Sequence, residues 1–230
     1  MNDLSSDISR GHAFSAKREE ALIRCYRHAD RERVRQLCCD NGYLGDPIDG
    51  AFSDRNLYAS IFIDPYLDQY PEWTFVAEYD GEIVGYLTAA PGFRYCGQQA
   101  VSGSYALYRL LTASVLRDNA ASLKDKQFLQ WLFFRSWRER VHRPSTAVHM
   151  HFGVQAAYRG RFVAQRLWMT FERELRLHGI DHYYGEIITV RPQQVARVYQ
   201  RFGLTLYDQK PSTMFEHVDS RRVWAMCIMK

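Results

Sequence analysis

The hydrophobic period of this chain changes once, abruptly, in its C-terminal half. Over residues 147–154 apolar side chains alternate, at Val148, Met150, Phe152 and Val154. That is the period of a strand with one buried face. Over residues 163–178 they recur every four positions, at Val163, Leu167, Phe171 and Leu175, as on an amphipathic helix. The loop between carries Arg159, Gly160 and Arg161 just before the helix starts. A helix N-terminus offers backbone N–H groups and a positive dipole end, so it attracts anions such as phosphate. Strand, basic loop and helix together suggest a diphosphate cradle. The plain alternative is an ordinary strand–loop–helix with an exposed arginine.

Other elements are legible from local signals. Asp80-Gly81 separates two apolar, β-branched and aromatic runs within residues 73–88, which predicts a hairpin. Residues 21–26 read as a first strand and 30–39 as a first helix, with Asp30 as its N-cap. Residues 183–190 read as a further strand. After it, Val195, Val198, Tyr199 and Phe202 fall at helical spacing, and Gly203 stands where a C-terminal cap belongs.

Three segments resemble the GNAT superfamily of N-acyltransferases. Val154-Gln-Ala-Ala-Tyr-Arg-Gly-Arg-Phe-Val-Ala164 resembles its acyl-CoA-binding motif, Arg/Gln-x-x-Gly-x-Gly/Ala. Arg159 fills the first position and Ala164 the last. Phe162 stands where the family has its central Gly, and Ala156 where the lead-in has Pro. The segment 192–204 resembles the later motif, an Asn followed by a helix ending in Tyr-x-x-x-Gly-Phe. Pro192 stands at the Asn position and Tyr199 at the Tyr. Phe75-Val-Ala-Glu78, Asp80-Gly81 and Ile83-Val-Gly-Tyr86 resemble the second and third strands.

The resemblance covers residues 21–90 and 145–230. It implies an α/β (α+β) domain with a mixed, mostly antiparallel sheet flanked by helices. It also implies acetyl-CoA as cosubstrate, with the acetyl group moved to a primary amine by direct attack. Phe152 and Val154 would pair with pantetheine. Backbone N–H groups of Arg159, Gly160, Arg161, Phe162, Val163 and Ala164 would hold the diphosphate. Tyr199 would protonate the departing thiolate.

The general base belongs where the fourth and fifth strands meet. Glu186 interrupts an apolar and aromatic strand, on one face with Tyr184, Ile188 and Val190. His149 and His151 alternate with Met150 and Phe152, so they face away from the apolar series. Glu186 or His151 can take the proton from the amine, directly or through water. For each, the plain alternative is a satisfied, half-buried polar group. The His-x-His pair has no evident third ligand, so no metal is expected.

Two regions look particular to this chain. Residues 40–72 hold Asp46, Asp49, Asp54, Asp64, Asp68 and Glu72. An acidic wall favours a cationic acceptor, a small-molecule or peptide amine. The competing reading is that these acids cap turns and helices. Residues 91–146 form an insertion between the third and fourth strands, with helices expected over 105–116 and 126–141. The second carries Phe128, Leu129, Trp131, Leu132, Phe133, Phe134 and Trp137, then Arg135, Arg138, Arg140 and Arg143. Packing or a homodimer surface suits it first, a substrate lid second, membrane-surface contact last. The insertion is also similar to that of bacterial relatives of the acetyltransferase-like domain of O-GlcNAcase. GNAT-like domains can lose catalysis, so a non-catalytic binding module is one alternative. An enzyme using a longer acyl-CoA or an acyl-carrier protein is another.

Composition excludes other classes. With 230 residues, 47% of them hydrophobic, the chain can bury one sizeable core, so residues 21–230 are read as one domain behind a flexible tail, 1–20. A net charge of +4 is too small for a dedicated nucleic-acid binder. Cys25, Cys38, Cys39, Cys96 and Cys227 form no disulfide framework. With no signal peptide and no membrane-spanning run, the cytoplasm is the expected setting.

Overall fold

The computed structural model describes residues 20–91, 122–145 and 147–230. The expected tail and the helix over 105–116 lie outside the described residues. Among those described, β1 (Leu22–Cys25), β2 (Thr74–Tyr79), β3 (Glu82–Ala90), β4 (Val148–Val154), β5 (Tyr183–Thr189), β6 (Thr205–Ser212) and β7 (Val223–Met229) form one sheet. Its order is β1-β2-β3-β4-β5-β7-β6. Only β4 and β5 run parallel; the other pairings are antiparallel. This is the mixed, mostly antiparallel sheet that the sequence predicts.

The β2–β3 turn shows why local chemistry sufficed there. Tyr79 pairs with Glu82, and Asp80 and Gly81 both take positive φ, 50° and 77°. Two left-handed residues make a type I′ turn, whose twist matches that of the strands it joins.

Helices cover both faces. α1 (Arg31–Asp40), α2 (Arg55–Phe62) and α3 (Asp64–Gln69) precede the hairpin, and α4 (Leu123–Gln130) and α5 (Ser136–Glu139) precede β4. α6 (Val163–Leu177) follows β4 and α7 (Pro192–Gln200) follows β5. None of the described helices is long and apolar enough to cross a membrane. Against α6, one core gathers Val148, Met150, Val154, Leu167, Phe171 and Leu175. Full burial of a side chain such as Leu167 or Phe171 contributes roughly 1.5–3 kcal/mol. The opposite core joins α1, α2 and α3 to Phe128 and Leu129 of α4 and to Phe215 of the β6–β7 connection.

Two expectations need correction. Asp30 stands at the N-cap of α1 as expected, but its side chain makes no capping bond to the helix. The buried carboxylate instead accepts from Arg24 at 2.7 and 3.0 Å and from the Arg27 N–H at 2.7 Å. The helix expected over 126–141 starts at Leu123, where Ser122 caps it, and passes through a π-turn at Trp131–Arg135. Seven large apolar residues cannot all face one core. Phe128 and Leu129 are buried, while Phe134 and Trp137 are 71% and 61% exposed.

Candidate active site

The parallel pairing of β4 and β5 is short. It covers Val148 with Tyr183, His149 with Tyr184 and Met150 with Gly185, then stops. Past that point β4 stays on β3, as far as Val154 opposite Gly85. β5 stays on β7, as far as Thr189 opposite Trp224. The two strands therefore part into a wedge after Met150 and Gly185. At the end of β4 the Gln155 N–H donates to the Val84 carbonyl of β3 at 2.8 Å. Backbone direction alternates along an antiparallel strand, so the N–H groups of Phe152 and Val154 face the wedge.

The loop at the wedge mouth is built by backbone conformation. Gly160 has φ 79° and Phe162 φ 63°, ψ 5°. The Gly position of the motif is thus a left-handed position, costing a residue with a Cβ about 1–2 kcal/mol. The Phe162 ring is 67% exposed rather than packed in the core. As N-cap residue of α6 it provides no side-chain acceptor, and the first-turn N–H groups have no partners within the helix. Arg159 binds back onto the protein. Its Nε donates to the Val154 carbonyl at 3.3 Å, and Nη2 to Asn41 Oδ1 at 2.7 Å and to the Gly45 carbonyl. Arg161 lies 5.3 Å over the Tyr158 ring. Val163 and Ala164 open the helix.

The other side of the wedge is built by side chains. Facing away from α6, His149 Nδ1 bonds the Tyr66 hydroxyl of α3. His151 Nδ1 lies 3.2 Å from the Tyr86 hydroxyl of β3, and its Nε2 has no hydrogen-bond partner among the described residues. His149 Nε2 lies 3.7 Å from Glu186 Oε2. Arg143, from the segment before β4, grips Glu186 with Nε on Oε1 at 2.9 Å and Nη2 on Oε2 at 2.5 Å. Tyr66, His149, Glu186 and Arg143 thus form one polar chain drawn from four parts of the fold. Burial, with the nearby charges of Arg143 and His151, pushes the His149 pKa well below its ordinary value. Burial pushes His151 down to about 4. Both imidazoles are neutral at pH 7. The Arg143 guanidinium thus occupies both Glu186 carboxylate oxygens.

Tyr199 sits on α7 with its ring 6.0 Å from Trp168 of α6. Trp168 in turn meets Phe152 edge-on at 5.7 Å. Burial raises the Tyr199 pKa, so the hydroxyl keeps its proton across the working range. No hydrogen bond to that hydroxyl occurs among the described residues. Pro192 opens α7 and brings no side-chain amide. Gly203, at φ 78°, ends the helical segment, with the Leu204 N–H returning to the Tyr199 carbonyl at 3.1 Å.

The acids of residues 40–72 are largely compensated. Asp64 meets Arg31 at 2.9 Å and also Arg35; Asp68 meets Arg31 at 2.5 Å and Asp49 meets Arg55 at 2.5 Å. Asp54 caps α2 by accepting from the Leu57 N–H at 2.8 Å. Of these four, Asp54 caps as the competing reading expects, and the other three are held by arginines. Sequence reasoning missed Tyr66, Tyr86 and Arg143. Arg143 was one arginine in a row of four, and nothing local marks it as the partner of Glu186.

No protein-family model matches the chain, and no curated protein matches it in sequence. Solved structures match it in fold. SsHAT has a TM-score of 0.65 at 18% identity, over 92% of this chain and 98% of its own. The polyamine N-acetyltransferase of Drosophila melanogaster, which forms N-acetylagmatine, has 0.55 at 18%, over 92% and 99%. The yncA protein of Salmonella typhimurium, solved with its cofactor acetyl-CoA, has 0.51 at 15%, over 92% and 93%. The likeness is one of fold, and the fold is that of GNAT acetyltransferases.

Proposed function

We propose that this chain is an acetyl-CoA-dependent N-acetyltransferase that moves acetyl to a primary amine by direct attack. One observation carries the reading: β4 and β5 part after Met150 and Gly185, with the uncapped start of α6 at the mouth. The wedge fits an extended arm with a diphosphate behind it. Acetyl-CoA supplies the activated acyl group. Phe152 and Val154 offer backbone N–H groups to its pantetheine. The N–H groups of Gly160 and of Phe162 to Ala164 receive the diphosphate; those of Arg159 and Arg161 already donate to the Ala156 and Tyr158 carbonyls at 3.2 and 3.3 Å. Arg159 fixes this loop through Asn41 and Gly45, and Arg161 adds charge.

The remaining roles fall on side chains. His151 Nε2 accepts the proton that the amine loses as the C–N bond forms, directly or through water. It is a weak base, and passes the proton on to solvent. Glu186, whose two oxygens both meet Arg143, acts in this reading through His149, 3.7 Å away. Tyr199 donates a hydrogen bond to the sulfur as the C–S bond breaks. Its raised pKa makes full transfer to a thiolate, ordinarily near 8.5, uphill. The structural neighbour that forms N-acetylagmatine supports an amine acceptor. In the same reading the protein works in the cytoplasm, and the exposed Phe134 and Trp137 face is a homodimer surface.

Calorimetry with acetyl-CoA, followed by thiol detection over an amine library, tests the proposal. Binding plus thiol release with at least one amine is expected. Binding without release from any amine favours the second reading, a non-catalytic module. Phe162 and Pro192 are the features behind it, and so is the insertion's resemblance to domains that can lose catalysis.

A further inference from the structure

A second basic hollow lies on the β5 side of the wedge mouth. It has a volume of about 450 Å³ and is lined in part by Val190, Arg191, Pro192, Arg221, Arg222 and Trp224. It sits where β5 ends and α7 begins. Trp224 stands opposite Thr189 in the sheet, and residue alternation puts both on the face of Ile187, which packs against the α6 core. The hollow therefore opens on the same face of the sheet as α6 and α7, away from His149 and His151.

Its charge is not balanced from within. Asp219 holds Arg221 through bonds of 2.6–3.0 Å. Arg191 and Arg222 have no acidic partner among the described residues. The Arg222 guanidinium lies 4.5 Å over the Trp224 ring, so the hollow offers a flat cationic plate beside the apolar surfaces of Val190 and Pro192. A simple inorganic anion would leave most of that space empty. A phosphorylated nucleoside suits it better. Guanidinium forks match phosphate oxygens, and a base can stack on an arginine plane.

We infer that this hollow binds the nucleoside end of the cosubstrate, with Arg191 and Arg222 on its ribose 3′-phosphate. The inference rests on the proposed use of acetyl-CoA. CoA carries two separate phosphate groups, the diphosphate and the 3′-phosphate. The wedge mouth has two separate basic lips, the loop with Arg161 before α6 and the turn with Arg191 before α7. An arm lying between β4 and β5 leaves its nucleotide beyond the C-terminal ends of the two strands, where the turn after β5 carries Arg191.

Calorimetry with CoA and with 3′-dephospho-CoA tests this, on the wild type and on Arg191→Gln and Arg222→Gln. Both arginines are exposed, so thermal melts of the variants should match the wild type. The wild type should bind CoA about tenfold tighter than 3′-dephospho-CoA. Each variant should lose most of that preference and bind 3′-dephospho-CoA as the wild type does. Equal wild-type affinity for the two ligands would overturn the inference and leave the CoA reading standing. So would variants that weaken both ligands alike, since that is a general charge effect. Failure of the wild type to bind either ligand would instead remove the CoA reading itself.

Discussion

The two sides of the wedge are built in opposite ways. The loop from Arg159 to Phe162 is local, exposed and defined by backbone conformation, with left-handed residues at Gly160 and Phe162. The crevice around His149 is non-local, enclosed and defined by side chains. Its bonds join residues 83, 65 and 43 positions apart. Binding backbone N–H groups to a diphosphate needs little more than a strand, a turn and a helix in sequence. The crevice instead needs its two imidazoles held in place, which only partners from distant parts of the chain provide. The difference teaches that the loop can carry Phe162, because backbone conformation shapes it, whereas the crevice depends on each side-chain partner.

The largest expected effect breaks the crevice with acid. His149 and His151 titrate lower in the folded chain than the ordinary value of 6.5, His151 at about 4. Between those values the unfolded chain binds protons that the folded chain does not. Stability should therefore be complete above about pH 6.5 and fall as pH drops toward 4. A neutral imidazole contributes about 1.4 kcal/mol per pH unit below 6.5, so His151 alone should lose about 2–3 kcal/mol by pH 4.5, and His149 adds to the loss in the same direction. Urea unfolding across this range measures it, and His149→Gln with His151→Gln should flatten the slope. A wild-type slope already flat would mean a crevice open to water.

Next in size is the loss of the Tyr199 hydroxyl. Tyr199→Phe should lower turnover about 10²-fold with acetyl-CoA affinity nearly unchanged. Full turnover with a cognate amine would make Tyr199 a packing residue beside Trp168.

Cutting the polar chain at its far end comes third. Arg143→Ala leaves a half-buried carboxylate without its fork and should cost about 2 kcal/mol in denaturant unfolding, less than a fully buried pair because solvent reaches it. Adding Glu186→Gln should recover much of that loss. Additive losses would show that the two residues do not act as a pair.

The smallest effect sharpens the loop. Phe162→Gly removes a Cβ from a left-handed position and no core contact, so it should raise stability by about 0.5–1 kcal/mol after the entropy of the added glycine. Melts with and without CoA then tell whether the exposed ring also crowds the ligand, through tighter binding by the variant.

The same contrast governs what the sequence disclosed. Asp80-Gly81, the change of period around Arg159 and the glycine at 203 are local signals, and each element they predict is present. The facing of His149 and His151 also followed from alternation alone. The parting of β4 and β5 did not, because it is a matter of register between strands far apart in sequence. Nor did the fork of Arg143 on Glu186, whose partners are 43 positions apart. The left-handed turn at Phe162 was hidden because a Phe there gives no conformational warning, where a Gly would have.

Hydrogen–deuterium exchange with and without acetyl-CoA tests the central claim most directly. If the arm lies between β4 and β5, exchange should slow in peptides covering Phe152 to Val154 and in those covering Gly160 to Ala164, with no comparable change at β1 or β2. Saturable binding that leaves both of those segments unprotected would contradict the account.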